Sequence, residues 1–213
     1  QGSGIMSTTI TSDNTQKATV SITGGKLMWV TVTSTVNDGV YLKTATVTNC
    51  LFYKCNMSGL WSDGTGGKVY NCISYKNNDN GFVCTDKGNL LVVNSISMEN
   101  YCGFYGHYGT LNARYCNSYG NNWYNYAQLG GSYMIKTSCL EVDPGFSPDA
   151  WRLSNTSLCK DAGDPTIFDL DGTHSDMGYY GGPDAPLLPY ITMPINYKLN
   201  PDGTIQFDMQ GKV

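Results

Sequence analysis

The sequence predicts an all-β chain wound as a parallel β-helix, a solenoid with coils of about 22 residues, and three observations carry that prediction. First, one short pattern recurs as Asn49-Cys50-Leu51-Phe52-Tyr53-Lys54, Asn71-Cys72-Ile73-Ser74-Tyr75-Lys76, Asn94-Ser95-Ile96-Ser97-Met98-Glu99 and Tyr115-Cys116-Asn117-Ser118-Tyr119-Gly120. Its second positions, Cys50, Cys72, Ser95 and Cys116, are followed by Cys139 at spacings of 22, 23, 21 and 23 residues. Second, Gly59-Leu60, Gly81-Phe82 and Gly103-Phe104 fall 22 residues apart, and Asn125-Tyr126 takes the next place. A fixed period in this range marks a solenoid, in which each repeat covers its neighbour. Third, the repeats hold short β-branched runs such as Val47 to Phe52 and Leu91 to Ile96, and no apolar run of helical period exceeds about ten residues. About 22 residues make three short strands and three turns. Stacking then places Cys50, Cys72, Ser95, Cys116 and Cys139 in an inward ladder, with Asn and Gly at turns that call for a left-handed backbone.

The elements follow in order. Residues 1–16, rich in Ser, Thr and Gly, form an arm or a first edge strand. The solenoid spans 17–140. Its early strands are Ala18 to Ile22, Leu27 to Val32 and Gly39 to Leu42, parted by turns at Gly24-Gly25 and Asn37-Asp38-Gly39. Prolines at Pro144 and Pro148 end the pattern, and 141–182 packs as a tail on the solenoid. From 183 a proline-rich tether leads to strand, turn and strand: Ile195 to Leu199, Asn200-Pro201-Asp202-Gly203, then Thr204 to Met209. An isolated hairpin is marginal in water, so this one is expected to dock on its own solenoid or on a neighbour's.

The coil NCISYKNNDNGF, taken with DPGFSPDAWRLSNTSLCKDAGDP and DLDGTHSDMGYYGGP, resembles the secreted right-handed parallel β-helix proteins of the pectate-lyase-like group, over roughly Val47 to Pro183. The resemblance implies a right-handed solenoid. It leaves activity open, because the group mixes polysaccharide lyases, hydrolases and non-enzymatic surface proteins. Such proteins often begin with an amphipathic capping helix; none is visible here, which leaves a row of backbone groups at that end open to strand addition. A lyase of this kind needs a base beside acids that hold calcium. Lys76, His107 and Arg114 are the candidates for that chemistry, although their spacing does not stack them in one column.

In the acidic tail, Asp169, Asp171 and Asp176 set oxygens around a Gly turn at a spacing that suits a structural Ca²⁺, or else forms Asx-turns capped by backbone amides with no ion. A cysteine zinc site is not expected, since no Cys-x-x-Cys or His-rich spacing accompanies the ladder.

Composition bounds the function classes. A chain of 213 residues is long enough for one well-buried domain. Charged residues make up 14%, with net charge −4, so no basic field is present for nucleic acid. No apolar run of about 18 residues suits a membrane span, and no signal peptide stands at Gln1, so the chain reads as a mature or trimmed product. Eight cysteines and 16 tyrosines suit an extracellular protein. Cys50 with Cys72 and Cys116 with Cys139 are spaced to bridge adjacent coils, or to act unbridged as small buried hydrophobes. Asn56 and Asn155 head glycosylation sequons.

Recurrent aromatics, among them Tyr53, Tyr75, Tyr101, Tyr105, Tyr119 and Trp123, suit sugar stacking, core filling or subunit contact. The leading expectation is a non-catalytic extracellular subunit that assembles head to tail with copies of itself, through Ile195, Tyr197, Leu199, Ile205 and Phe207 of the hairpin. The alternative is a carbohydrate-active β-helix, a lyase or a glycan-binding module.

Overall fold

The computed structural model describes residues 8–12, 18–147, 151–186, 190–191, 196–199, 205–208 and 211–212. Eighteen short strands wind through six coils. The first coil is β1 (Thr8–Ser12), β2 (Ala18–Ile22) and β3 (Lys26–Met28), and the second is β4 (Val30–Ser34), β5 (Asp38–Leu42) and β6 (Thr46–Thr48). Next come β7 (Leu51–Cys55), β8 (Leu60–Ser62) and β9 (Thr65–Tyr70), then β10 (Ile73–Tyr75), β11 (Asn80–Thr85) and β12 (Asn89–Val93). The last two coils are β13 (Ile96–Met98), β14 (Cys102–His107) and β15 (Thr110–Arg114), and β16 (Asn117–Tyr119), β17 (Tyr124–Leu129) and β18 (Tyr133–Thr137). Every third strand pairs in parallel, giving three six-stranded sheets: A from β1 to β16, B from β2 to β17 and C from β3 to β18. The chain is therefore the expected parallel β-helix, and residues 8–12 are the edge strand of sheet A.

From the third coil on, each coil turns two corners on single left-handed residues. Asn49, Asn71, Asn94, Tyr115 and Ser138 take φ of 47° to 52° between sheets C and A, and Lys54, Lys76, Glu99 and Gly120 take 51° to 63° on leaving sheet A. These are the first and last residues of the sequence repeat. Asn tolerates that backbone best among residues with a Cβ, which explains its recurrence at the first corner. Trp29, φ 60°, makes the same corner in the first coil, so Leu27 to Val32 is two strands in two sheets rather than the single strand expected.

The glycine marker has another cause than the left-handed turn expected of it. Gly81 and Gly103 lie within strands, and a Cβ on Gly81 would meet Ser97 Oγ, Gly103 O at 2.6 Å and Asn100 Nδ2 at 2.9 Å. Gly39, expected in a turn with Asp38, is likewise inside β5, with Gly59 O and Cys55 Sγ each 2.7 Å from where a Cβ would be.

Inside, residues of one position stack coil on coil. Sheet B contributes Val20, Val40, Leu60, Phe82, Phe104 and Tyr126 in one column. The rings of Phe82 and Phe104 stack at 5.1 Å, as do Phe104 and Tyr126. The cysteine ladder is buried from Cys50 through Cys72 and Ser95 to Cys116. In it, Cys50 N donates to Cys72 Sγ (3.4 Å), Cys72 N to Ser95 Oγ (3.1 Å) and Cys116 N to Cys139 Sγ (3.4 Å). All eight cysteines are free thiols, so neither candidate disulfide is formed. Stacked side chains point the same way, and in each candidate pair the second sulfur, Cys72 or Cys139, already accepts the backbone amide of the first.

A second inward ladder was not foreseen. Asn77 and Asn100 are buried, and Asn121 extends their column. The Asn77 side-chain oxygen accepts Cys55 N (2.8 Å), Asn100 accepts Asn77 N (2.9 Å) and Asn121 accepts Asn100 N (2.9 Å), while their amides donate to Ser74, Ser97 and Ser118 in turn.

The tail runs back over sheet A and converts its outer face into a second core. Leu51, Ile73 and Ile96 are buried there with Cys159, Met177 and Tyr179. Trp151 meets Tyr75 at 4.7 Å and Tyr53 at 5.8 Å between ring centres. The corner asparagines clamp it. Asn94 Oδ1 accepts Asp164 N (2.7 Å), Asn71 Nδ2 donates to Asp176 O (2.8 Å), and Asn49 Nδ2 donates to Tyr179 O and Gly181 O (both 2.8 Å). Farther along, Trp29 Nε1 donates to Asp184 O (2.7 Å) and Lys26 pairs with Asp184 at 2.6 Å.

Beyond the tail, β19 (Tyr190–Ile191) pairs antiparallel with β22 (Gly211–Lys212), and β20 (Asn196–Leu199) with β21 (Ile205–Asp208). The two strands read from the sequence are therefore paired, and the turn expected between them lies outside the described residues. Ile195 lies outside the described residues, as do the side chains of Tyr197, Leu199, Ile205 and Phe207.

Candidate functional site

The tail covers sheet A; the other two sheets also have outer faces. Sheet C presents the mixed column Thr46, Lys68, Leu91, Asn112 and Ile135. Sheet B presents Tyr41, Trp61, Val83, Tyr105 and Ala127 in register, with His107 and Leu129 in a neighbouring column. The aromatic density on sheet B follows from strand alternation: the residue after each inward apolar position points out.

The rings form two groups along this face. Tyr41 and Trp61 stack at 4.8 Å; Tyr41 OH donates to Asp63 at 2.7 Å and Trp61 Nε1 to Thr85 Oγ1 at 2.9 Å. The hydrogen bond to Asp63, with burial, pushes the Tyr41 phenol up to about 12, so it stays a neutral donor across the physiological range. Past Val83, Tyr105 stacks on His107 at 5.5 Å and takes the edge of Trp123 at 6.0 Å, while Trp123 stacks on Tyr101 at 5.7 Å. Tyr101, Trp123 and Tyr108 are exposed by 46, 44 and 54%, unlike Phe82 and Phe104 one residue inward. Trp61 and Tyr105 are two coils apart, about 10 Å at the usual strand spacing.

The sequence list of aromatics missed Tyr41 and Trp61. The signal was there, as Gly39-Val40-Tyr41, Gly59-Leu60-Trp61 and Gly103-Phe104-Tyr105 share one phase. Tyr53 and Tyr75 belong instead to the packing beneath Trp151.

At the corner between sheets A and B an open groove of about 630 Å³ is lined by Lys54, Asn56, Lys76, Asn78, Glu99 and Asn122 among others. Its rim reaches the aromatic face, because Trp123 follows Asn122 directly. Lys76 pairs with Glu99 at 3.3 Å and lies over Tyr75, and Lys54 lies over Tyr53.

The three catalytic candidates do not converge. Lys76 turns the corner after β10 of sheet A, His107 ends β14 of sheet B, and Arg114 ends β15 of sheet C, where it meets Asp164 of the tail at 3.5 Å.

The acidic tail closes on backbone amides. Asp169 accepts Asp176 N and Gly182 N, Asp171 Oδ1 accepts Thr173 N and its hydroxyl, and Asp176 Oδ1 accepts Asp161 N. Burial, reinforced by Asp169 and Asp161, pushes the Asp176 carboxyl up to about 6. Among the described residues no three His, Cys, Asp or Glu side chains gather as a metal would require. Asn56 and Asn155 are both exposed, and Asn56 Nδ2 donates to Val36 O at 3.1 Å. Among the described residues no helix is long and apolar enough to cross a membrane.

No protein-family model and no curated protein matches this sequence. A search of solved structures returns the crystal structure of pectate lyase Pel9A, with 15% identity, a TM-score of 0.43, 75% of this chain covered and 69% of that one. That similarity is too distant to assign this chain a family or an activity.

Proposed function

We propose that the chain is a non-catalytic carbohydrate-binding β-helix module, acting on glycans outside the cell, whose platform is the outer face of sheet B. One observation supports it above others: rings from four coils, Tyr41, Trp61 and Tyr105, half-buried, and Trp123, exposed, follow one another along the outer side of sheet B, away from the core. Flat apolar faces with polar edges are what sugar rings stack on, and the indole and phenol groups supply hydrogen bonds at the rim. Cleavage is left out because the candidate base and cations stand on three different sheets. Titration of immobilised plant and bacterial polysaccharides with the protein tests this: retention lost in Trp61→Ala and in Trp123→Ala, but kept in Trp29→Ala, supports the platform, and retention equal in all variants contradicts it. Polyuronates incubated with the protein are expected to yield no unsaturated, ultraviolet-absorbing products.

Self-assembly into a fibre or surface layer is the second reading, favoured by the first coil. There Val20, Ile22 and Leu27 are only partly buried at the end of the core columns. A hairpin containing Ile195 to Phe207 could add a strand to that end of a neighbour. Removing residues 194–213 and comparing light scattering with the intact chain tests it: filaments that need the segment support assembly, and a monomer at high concentration in both contradicts it.

A further inference from the structure

We propose that the paired thiols of Cys116 and Cys139, at the open end of the cysteine ladder, bind one soft monovalent cation of the Cu(I) or Ag(I) type between two adjacent coils. The two sulfurs are seated alike. Cys116 Sγ rests between Arg114 O (3.3 Å) and Val92 O (3.4 Å), and Cys139 Sγ between Thr137 O and Ala113 O (both 3.4 Å). In each case these are the carbonyl two residues earlier and its counterpart in the coil before. Side chains seated alike on neighbouring parallel strands repeat at the strand spacing, about 4.8 Å. Two metal–thiolate bonds of the length zinc makes, laid end to end, span about 4.6 Å. A cation midway between the sulfurs thus meets both with neither coil moved, whereas a disulfide of about 2.05 Å has to draw them together.

Donor chemistry and access narrow the choice. Thiolates select soft ions such as Cu(I), and two of them make a complete linear site. Zinc needs four ligands, and among the described residues no third His, Cys, Asp or Glu joins the pair. Cys50 and Cys72 are seated the same way, but both are fully buried, and Ser95 separates them from Cys116. Cys139 alone among the eight cysteines is not buried, so the ladder opens to solvent at this rung. Tyr126 OH, bonded to Cys116 O (3.3 Å) and Leu140 O (3.2 Å), closes the core side. Binding releases both thiol protons to solvent and leaves a bis-thiolate with one negative charge. The Cys116 amide, which donates to Cys139 Sγ at 3.4 Å, eases that charge.

Anaerobic titration of the intact chain into the coloured bicinchoninate complex of Cu(I) tests this, with wild type, Cys139→Ser, Cys116→Ser and Cys50→Ser compared. Serine already occupies the column at Ser95, so the variants are expected to keep the fold, which thermal melts check. Wild type should withdraw one Cu(I) per chain; the withdrawal should be lost in Cys139→Ser and in Cys116→Ser and kept in Cys50→Ser. No withdrawal by wild type, or withdrawal unchanged in Cys139→Ser, would overturn the site. Loss in Cys139→Ser with Cys116→Ser binding as wild type does would mean capture by a single thiol and would overturn the pair.

Discussion

At Asn71 one residue turns the backbone and holds a distant segment. Its φ of 47° makes the corner between β9 and β10, and its amide binds Ser175 Oγ (3.2 Å) and Asp176 O (2.8 Å). Asn71→Ala forces a Cβ without the amide into the left-handed region, which costs about 1–2 kcal/mol. The lost hydrogen bonds add about 1 kcal/mol each. Asn71→Gly removes the bonds alone, so denaturant unfolding should rank the two variants below wild type with Ala the weaker. Asn was legible at these corners from its period. Its grip on the tail was not, because the partners lie 104 and 105 residues away and carry no period of their own.

Asp176 gives a residue-scale test in pH. Its carboxyl, pushed up to about 6 chiefly by burial, binds its proton more tightly in the fold than in the unfolded chain. That contribution is therefore complete below the ordinary carboxylate range and is lost as pH rises through about 6. Thermal melts between pH 4 and pH 7 should show wild type losing stability relative to Asp176→Asn as pH rises. Added calcium is expected to leave the melts at pH 7 unchanged, since the carboxylates are held by amides; a calcium-dependent rise would assign the ion instead.

Among the elements, the strands of sheet B show how tightly adjacent coils approach. Gly81→Ala would drive a Cβ against Ser97 Oγ and the Gly103 carbonyl, both inside a packed wall. A loss of about 3 kcal/mol is expected from such overpacking, against near neutrality for alanine at exposed Gly24. The glycine period was visible in the sequence, but its cause, close approach rather than turn geometry, is a property of the neighbouring coils. The Asn77, Asn100 and Asn121 ladder was hidden because asparagines crowd these turns, with Asn78 and Asn122 beside two of its members, and the sequence does not say which of them points inward.

Sheet C ends differently from how it begins. Its inward column reads Leu27, Val47, Val69, Val92 and Ala113, then Lys136. Lys136 lies over the Tyr126 ring at 4.7 Å and pairs with Glu141 at 2.8 Å, which puts charge where a seventh coil would stack. An inward-pointing charge is a known protection for a sheet edge. Lys136→Leu should therefore raise concentration-dependent association in sedimentation velocity, while the wild type does not associate through this end.

For the molecule as a whole, the three sheets divide the work. The apolar outer positions of A anchor the tail through Leu51, Ile73 and Ile96, C is mixed, and B carries the rings on its outer side. The winding was readable because two markers kept one period. The platform was not, since period shows which residues stack and not which of the three faces the tail will cover. Tyr53 and Tyr105 look alike in sequence, and only the path of residues 151–182 separates them.

The four indoles of the chain report directly on that division. Trp29 and Trp151 sit with the tail, while Trp61 and Trp123 sit on sheet B. The indole N–H resonances, assigned by single Trp→Phe variants, can be followed as a fragment of a polysaccharide that retains the protein is titrated in. Glycan binding on sheet B predicts shifts at Trp61 and Trp123 with Trp29 and Trp151 unmoved; shifts confined to Trp29 or Trp151 would contradict it.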